Sequence, residues 1–431
     1  MVLGRALRRT PGHRGITEQR GNTSRPLVNV KRAEGVFTEK QKHDIAVRLT
    51  SVMVVDWLDT TLAPRHPVRV LDVAQERRER SNEDMTIQAG PGDPVASVTE
   101  GATIRGEFYK AEQLVEAIHL SLGGYHPGFR AVHALGRFYM GTFTATAAGR
   151  AYSRAAHFQG APVPVTARFS HGSADPDKPP NKVSAMATRF YLPDGTDTDL
   201  IGISLPAFPA RTPDEVLEIL DAVRPDAATK VPDLAKVQAA LSAHPATARI
   251  VQLVQEQLAP VSFARVQYRP LHAFRFVDAD DVGRWARYHW EPEAGVAGQS
   301  EADLAQQPHS ALFDEFERRL QEDPVTFTLD LQLAQDGDPL DDVTALWPDD
   351  RQRVTVGRLS LTRPISLEEI GDPVMMHDPT KVTDGIEASL NDQIIAARRG
   401  AYLASVAQRT GGWQRQSPVL ADTQAVAQAD G

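Results

Sequence analysis

The sequence predicts an α+β fold, an antiparallel sheet or barrel with helices around it, preceded by a small β-α-β-like extension. Three observations lead there. Apolar, β-rich runs follow one another across turn-rich segments such as SHGSADPDKPPN and LPDG, where parallel βαβ units would alternate with helices. Helix start signals stand between the later runs. A length of 431 residues suits one large unit plus a smaller one, with room for a sizeable core.

The elements follow in order. Residues 1–25 carry Arg5, Arg8, Arg9, Arg14, Arg20 and Arg25 against a single Glu18. No apolar stretch follows the Arg8–Arg9 pair, so they read as a disordered basic leader and not as a secretory signal. Pro26–Val30 alternates like a short strand. Thr38-x-x-Gln41 is a capping box, and Ile45, Leu49, Val52 and Met53 after it share one helical face. Val68–Val73 (VRVLDV) supplies a second strand, which closes a β-α-β-like extension over 26–80. The charge-, Gly- and Pro-rich residues beyond it make a linker over 81–103. A larger domain then runs over 104–412, followed by a flexible tail at 413–431. Its strands are predicted at Val163–Phe169, Ala185–Tyr191, Thr198–Ser204, Val261–Val277, Val325–Leu333 and Val354–Leu361. Thr212-Pro213-Asp214-Glu215 caps a helix that runs to about Val223, and further helices are predicted at 232–259, 309–321 and 386–411.

Composition narrows the function. The formal charge of −9 opposes nucleic-acid binding, which wants a basic face. The chain has no cysteine, which excludes disulfides, thiolate nucleophiles and iron–sulfur clusters and is compatible with a cytoplasmic location. No apolar run approaches the ~20 residues of a membrane span, so no membrane partner is expected. A homo-oligomer is compatible with all of this. Nucleotide-binding glycine loops, HExxH, GxSxG and EF-hand patterns are missing.

His, Tyr and Arg remain as the groups able to do chemistry. In the last predicted helix, Arg398, Tyr402 and Arg409 fall within about 40° of one another at ~100° per residue. Guanidinium groups on the same face favour the phenolate, a hard anionic ligand suited to ferric iron. The same trio equally suits a tyrosine packed between arginines on an amphipathic helix. The second cluster is Arg130-Ala131-Val132-His133 with Arg168-Phe169-Ser170. A histidine beside a hydroxyl in apolar surroundings shuttles protons near neutral pH, and the arginines suit carboxylates of a ligand. A satisfied core histidine with surface arginines is the alternative.

The order of five segments resembles the catalase superfamily, and within it the minimal catalase-related haem peroxidases. They are RAVHALGRFYMGTFTAT (130–146), PVPVTARFSHGSADP (162–176), MATRFYLPDGTDTDLI (186–201), VTVGRLSLTRP (354–364) and VTDGIEASLNDQIIAARRGAYLASVAQR (382–409). The resemblance covers about 104–412 and implies a catalase-like antiparallel β-barrel with surrounding helices. It implies haem b as cofactor, with Tyr402 the proximal ligand of the haem iron and Arg398 holding that tyrosine as phenolate. His133 matches the distal histidine, Val132 the apolar residue beside it, and Ser170 the serine that orients the imidazole. Arg130, Arg168 and Arg409 match the arginines of the haem propionates, and Phe208 matches an aromatic residue lining the distal side.

One position departs from the family pattern. In DLIGISLPAF, Ile203 stands where typical catalases have an Asn that donates to bound peroxide, and isoleucine has no donor. The resemblance therefore implies a peroxidase that cleaves hydrogen peroxide or organic hydroperoxides and oxidises a small organic electron donor, with weak catalase activity. A fatty-acid hydroperoxide isomerase or dehydratase, and a non-catalytic haem-binding protein, are the other readings. Residues 26–72 resemble the start of an oxalocrotonate tautomerase. Pro26 is internal, however, and its amide nitrogen has no basic lone pair, so this segment is expected to serve packing or oligomerisation.

Overall fold

Strand alternation here produces one long antiparallel sheet. The computed structural model describes residues 110–411. The predicted leader, extension, linker and tail lie outside the described residues, as do 104–109 and Gly411's successor. The strands are β1 (Gly136–Ala145), β2 (Val163–His171), β3 (Ser184–Tyr191), β4 (Asp197–Ile203), β5 (Ala259–Pro260), β6 (Ala273–Val277), β7 (Gly283–Pro292), β8 (Gly298–Gln299), β9 (Val325–Leu333), β10 (Arg353–Ile365) and β11 (Ile386–Ala388). Nine of them form one sheet in the order β11-β6-β7-β9-β10-β1-β2-β3-β4, and β5 pairs with β8 apart from it.

The sheet curls. Tyr139, Phe143, Phe169, Phe190, Trp290 and Phe327 come from five different strands and share one buried cluster. Each such ring removed from water contributes roughly 1.5–3 kcal/mol. Two isolated bridges draw the ends together, since Ile203 pairs with Arg269 while the adjacent Tyr268 pairs with Trp290. Residues 268–269 therefore span from β4 to β7, and the half-barrel closes on backbone that belongs to no ladder. Among the described residues no helix is long and apolar enough to cross a membrane.

The predicted elements meet three corrections. Val261–Val277 is not one strand. Ser262 caps a short turn at Phe263–Arg265, Tyr268 and Arg269 make only isolated bridges, Pro270 lacks an amide hydrogen, and a continuous strand begins at Ala273. The helix predicted at 232–259 is two helices, Leu234–Ala243 and Pro245–Glu256, because Pro245 occupies a first-turn position where its missing N–H costs nothing. At 386–411 the first residues pair with β6, and the helix begins only at Gln393, after the cap supplied by Asp392. Two strands escaped the sequence reading, β1 and β7. Arg137, Arg284, Arg287 and Glu291 interrupt their apolar alternation, and the buried Arg287 donates through Nη1 and Nη2 to the carbonyls of Ala345 and Asp342.

The core also holds imidazoles. His157 lies 4.3 Å from the Phe158 ring and 4.9 Å from Phe190, and its Nδ1 has no hydrogen-bond partner. Burial pushes His157 down to about 3, and burial together with nearby arginines does the same for His289. The unfolded chain takes up a proton at each below pH ~6.5, whereas the folded chain refuses it until near pH 3. Stability is thus full above pH ~6.5 and lost as pH falls, by about 1.4 kcal/mol per pH unit for each such histidine. Replacing His157 by Phe is expected to cut the loss of unfolding free energy between pH 7 and pH 5 by roughly 1–2 kcal/mol. Urea titrations at both pH values measure it, and an undiminished loss in H157F would show that His157 takes its proton in the folded state.

Candidate active site

Between the sheet and the C-terminal helix lies a cavity of about 140 Å³. Its walls are mainly apolar, with Val115 and Ile118 from a helix that includes 110–121, Ala185 and Ala187 from β3, and Ile201 from β4. The C-terminal helix Gln393–Arg409 presents Ala401, Tyr402, Ser405, Val406 and Arg409 to it. These fall on one face of a 3.6-residue repeat. Gly400 permits the two helices to approach, since a Cβ there would meet that of Ala111 at 3.0 Å.

At the helix, the spacing read from the sequence becomes contact. Arg398 Nε and Nη2 both donate to Tyr402 Oη, at 3.0 and 2.8 Å. An oxygen receiving two charged donors is solvated as an anion would be. Behind Arg398, its Nη1 lies 2.8 Å from His272 Nε2, and His272 Nδ1 lies 2.6 Å from Asp392 Oδ2. Arginine only donates, so His272 Nε2 must accept, and the ring's proton sits on Nδ1 facing Asp392. Burial opposes the Asp392 charge, yet His272 and the amides of Ile394 and Ile395 hold the carboxyl below its ordinary range. Neither His272 nor Asp392 was singled out from sequence. Asp392 was available as a helix-cap signal, whereas a lone His in YRPLHAF carried none.

Across the cavity, His133 takes a left-handed backbone conformation (φ 54°), a strained state for a residue other than glycine. Its Nδ1 lies 3.0 Å from the carbonyl of His171 and 3.3 Å from Ser170 Oγ. A carbonyl only accepts, so Nδ1 carries the hydrogen and Nε2 keeps its lone pair. Burial, reinforced by the positive charge of Arg168, pushes His133 down to about 3, which leaves the ring neutral at working pH. Val132 lines the same wall.

Three guanidinium groups surround the cavity's other end. Arg130 donates to Met375 O at 2.7 Å, Arg409 to Val374 O at 2.6 Å, and Arg168 to His133 O at 2.9 Å. No carboxylate pairs with any of them among the described residues, and Arg168 Nε, fully buried, has no partner at all. Burial and the nearby Arg409 push Arg130 down to about 9, burial with Arg130 and Arg409 lowers Arg168, and burial lowers Arg409 against the pull of Asp372. Gly136 makes room for Arg168, because a Cβ there would sit 2.3 Å from the guanidinium carbon.

Two predicted positions stand outside this lining. Phe208 is half-buried on the loop after β4, where its amide donates to Val343 O at 2.9 Å. Ile203 pairs across from Ala185, which does line the cavity, but its own side chain packs on a cluster of Val183, Leu205, Ala207, Ile250 and Val254. Among the described residues, no Asn or Gln side chain lines the cavity.

A model of the catalase family matches residues 127–431. The chain belongs to the catalase family. A catalase-related peroxidase of Mycolicibacterium paratuberculosis is 38% identical over 304 residues, covering 70% of this chain and 95% of that protein. A catalase-related peroxidase of Synechococcus elongatus is 32% identical, covering 70% of this chain and 89% of the relative. Among solved structures, a fungal catalase superposes with a TM-score of 0.58 at 18% identity, over 68% of this chain and 62% of its own. That likeness bears on the fold.

Catalase-family membership implies haem, and the cavity fits it. A flat apolar ring system suits the Val, Ile and Ala walls. Carboxylate groups on one edge would neutralise three unpaired guanidinium groups and satisfy Arg168 Nε. The Tyr402 oxygen, held by two Arg398 donors, would offer an oxygen ligand to a ferric ion.

Proposed function

We propose that the protein is a haem b peroxidase that reduces hydrogen peroxide or organic hydroperoxides and oxidises a small organic donor, with weak dismutation. The observation that carries this reading is His133, neutral, with Nδ1 tied down and the Nε2 lone pair free, on the wall of a cavity that also contains an Arg398-held Tyr402. When bound, haem supplies the redox equivalents for breaking an O–O bond and drawing electrons from a donor.

The chain's own residues handle the protons and the electrostatics. His133 Nε2 accepts the proton from the inner peroxide oxygen and returns it to the outer one, so that the leaving group departs as water or alcohol. Ser170 and the His171 carbonyl hold the imidazole in the tautomer this requires. Tyr402 serves as the iron's ligand, and the Asp392–His272–Arg398 chain keeps two donors on its oxygen. Arg130, Arg168 and Arg409 anchor the propionates. A simple haem carrier needs no oriented proton acceptor, so the tethered His133 favours catalysis.

Among the described residues, the wall offers a peroxide no side-chain amide donor, which supports the preference for an organic reductant. A second peroxide must be bound and oriented to act as reductant, whereas an organic donor delivers electrons at the cofactor's edge. The purified protein is therefore expected to oxidise a phenolic donor faster than it evolves oxygen, with an electrode and absorbance read in parallel. Faster oxygen release would make it a catalase that works without the amide. A rearranged hydroperoxide with no donor consumed would make it an isomerase or dehydratase.

Tyr402→Phe is expected to abolish or severely weaken haem retention in a folded protein, read from the Soret band alongside far-ultraviolet circular dichroism. Full occupancy with an unaltered spectrum removes Tyr402 as ligand. His133→Ala should keep haem but slow peroxide cleavage by ~10²-fold or more in stopped flow, the usual scale for a lost general acid–base. A parental rate in H133A would leave His133 a structural residue.

A further inference from the structure

His377 shares the cavity lining with Arg130, Arg168 and Arg409. Its side chain is 6% exposed, and its Nε2 is fully buried without a hydrogen-bond partner. One face of the ring stacks on Phe138, with centroids 6.3 Å apart and planes 16° from parallel. A phenylalanine would pack there as well and would bury no polar atom. Buried polar groups in native proteins are nearly always paired, so an unpaired one in a cavity wall points to a partner that arrives with a ligand.

The backbone around His377 is fastened on both sides. The carbonyls of Val374 and Met375 accept from Arg409 and Arg130. Arg189, clamped by two hydrogen bonds to Asp199, donates to Met376 O at 2.6 Å, and Asp199 Oδ2 in turn accepts from the Asp378 amide. The imidazole therefore stands on a rigid support. Burial, reinforced by the positive charges of Arg189, Arg130, Arg168 and Lys381, holds it neutral with a single N–H to give. A neutral donor in a cluster of cations adds a hydrogen bond to an anion without adding repulsion.

We propose that His377 is a further binding residue for the cofactor's acidic edge, donating Nε2–H to a carboxylate that the three arginines attract. One anionic edge would satisfy both unpartnered buried atoms of this end of the cavity, His377 Nε2 and Arg168 Nε. The inference rests on the haem reading above and adds to it a contact that uses no charge.

The full-length chain, freed of haem, is titrated with ferric protoporphyrin IX and separately with its dimethyl ester, in which both carboxylates are masked. His377→Phe keeps the stacking on Phe138 and is expected to raise the Kd for the free acid about tenfold or more, the scale of a hydrogen bond to a charged group. The Kd for the ester should not move, and His377→Gln, which restores an N–H donor, should recover part of the loss. Equal free-acid affinity in parent and H377F overturns the proposal. So does equal weakening for both porphyrins, since the ring would then serve packing alone. A parent that binds neither porphyrin overturns the haem reading together with this one, whereas a haem-binding parent with an unaffected H377F overturns this one only.

Discussion

Unneutralised positive charge in the cavity wall is the constraint on which the rest of the site depends. Arg130, Arg168 and Arg409 repel one another and are poorly solvated, a costly arrangement for a protein that is only marginally stable overall. Their hydrogen bonds go to main-chain carbonyls at 133, 134, 374 and 375, which the fold places around the rim. Carbonyl dipoles only partly offset three cations. The remainder is a standing attraction for an anion, and it accounts for the clamps on both sides of the rim, Gly136 behind Arg168 and Arg189 behind the 374–378 loop. A looser scaffold would let the guanidinium groups swing apart and escape into water.

Much of this was legible in the sequence where local rules apply. The runs that became β2, β3, β9 and β10 are apolar and β-branched over their whole length, and the Thr212-Pro213 cap marked its helix within a residue. The helical repeat of 398, 402 and 409 correctly put Arg398 on Tyr402, although Arg409 serves the opposite end of the cavity. The reading failed where a residue's partner lies far along the chain. β1 and β7 contain charges whose partners lie far along the chain, Glu317 for Arg137 and the carbonyls of Asp342 and Ala345 for Arg287, and His272 meets Arg398 across 126 positions. His377 was invisible for the same reason, since a lone imidazole in MMHDP acquires meaning only from the ring and the cations that the fold brings to it. Ile203 shows the limit of matching by motif, because strand position alone did not show that its side chain would join an apolar cluster beside the cavity.

The two ends of the cavity are built by different means. The His133 side relies on a strained backbone and a carbonyl that dictates one tautomer, so its geometry comes from the loop before β1 and the end of β2. The Tyr402 side relies on a relay of side chains from three elements, the turn before β6, the residue before the C-terminal helix, and the helix itself. Both use the ordinary chemistry of donors and acceptors to fix the orientation of a side chain without a rigid covalent frame.

Asp392 spends its two oxygens on different tasks. Oδ1 receives the amides of Ile394 and Ile395, while Oδ2 faces His272. The atom pair that tells the helix where to begin also tells the relay where to end. A helix started one residue early or late would rotate Tyr402 by about 100° around its axis and at the same time withdraw Oδ2 from His272. A misphased helix would therefore turn the Arg398–Tyr402 pair away from the cavity as a unit and part Arg398 from His272 at the same time. The carboxylate acts as an index mark, locking the phase of the last helix to the chemistry it carries.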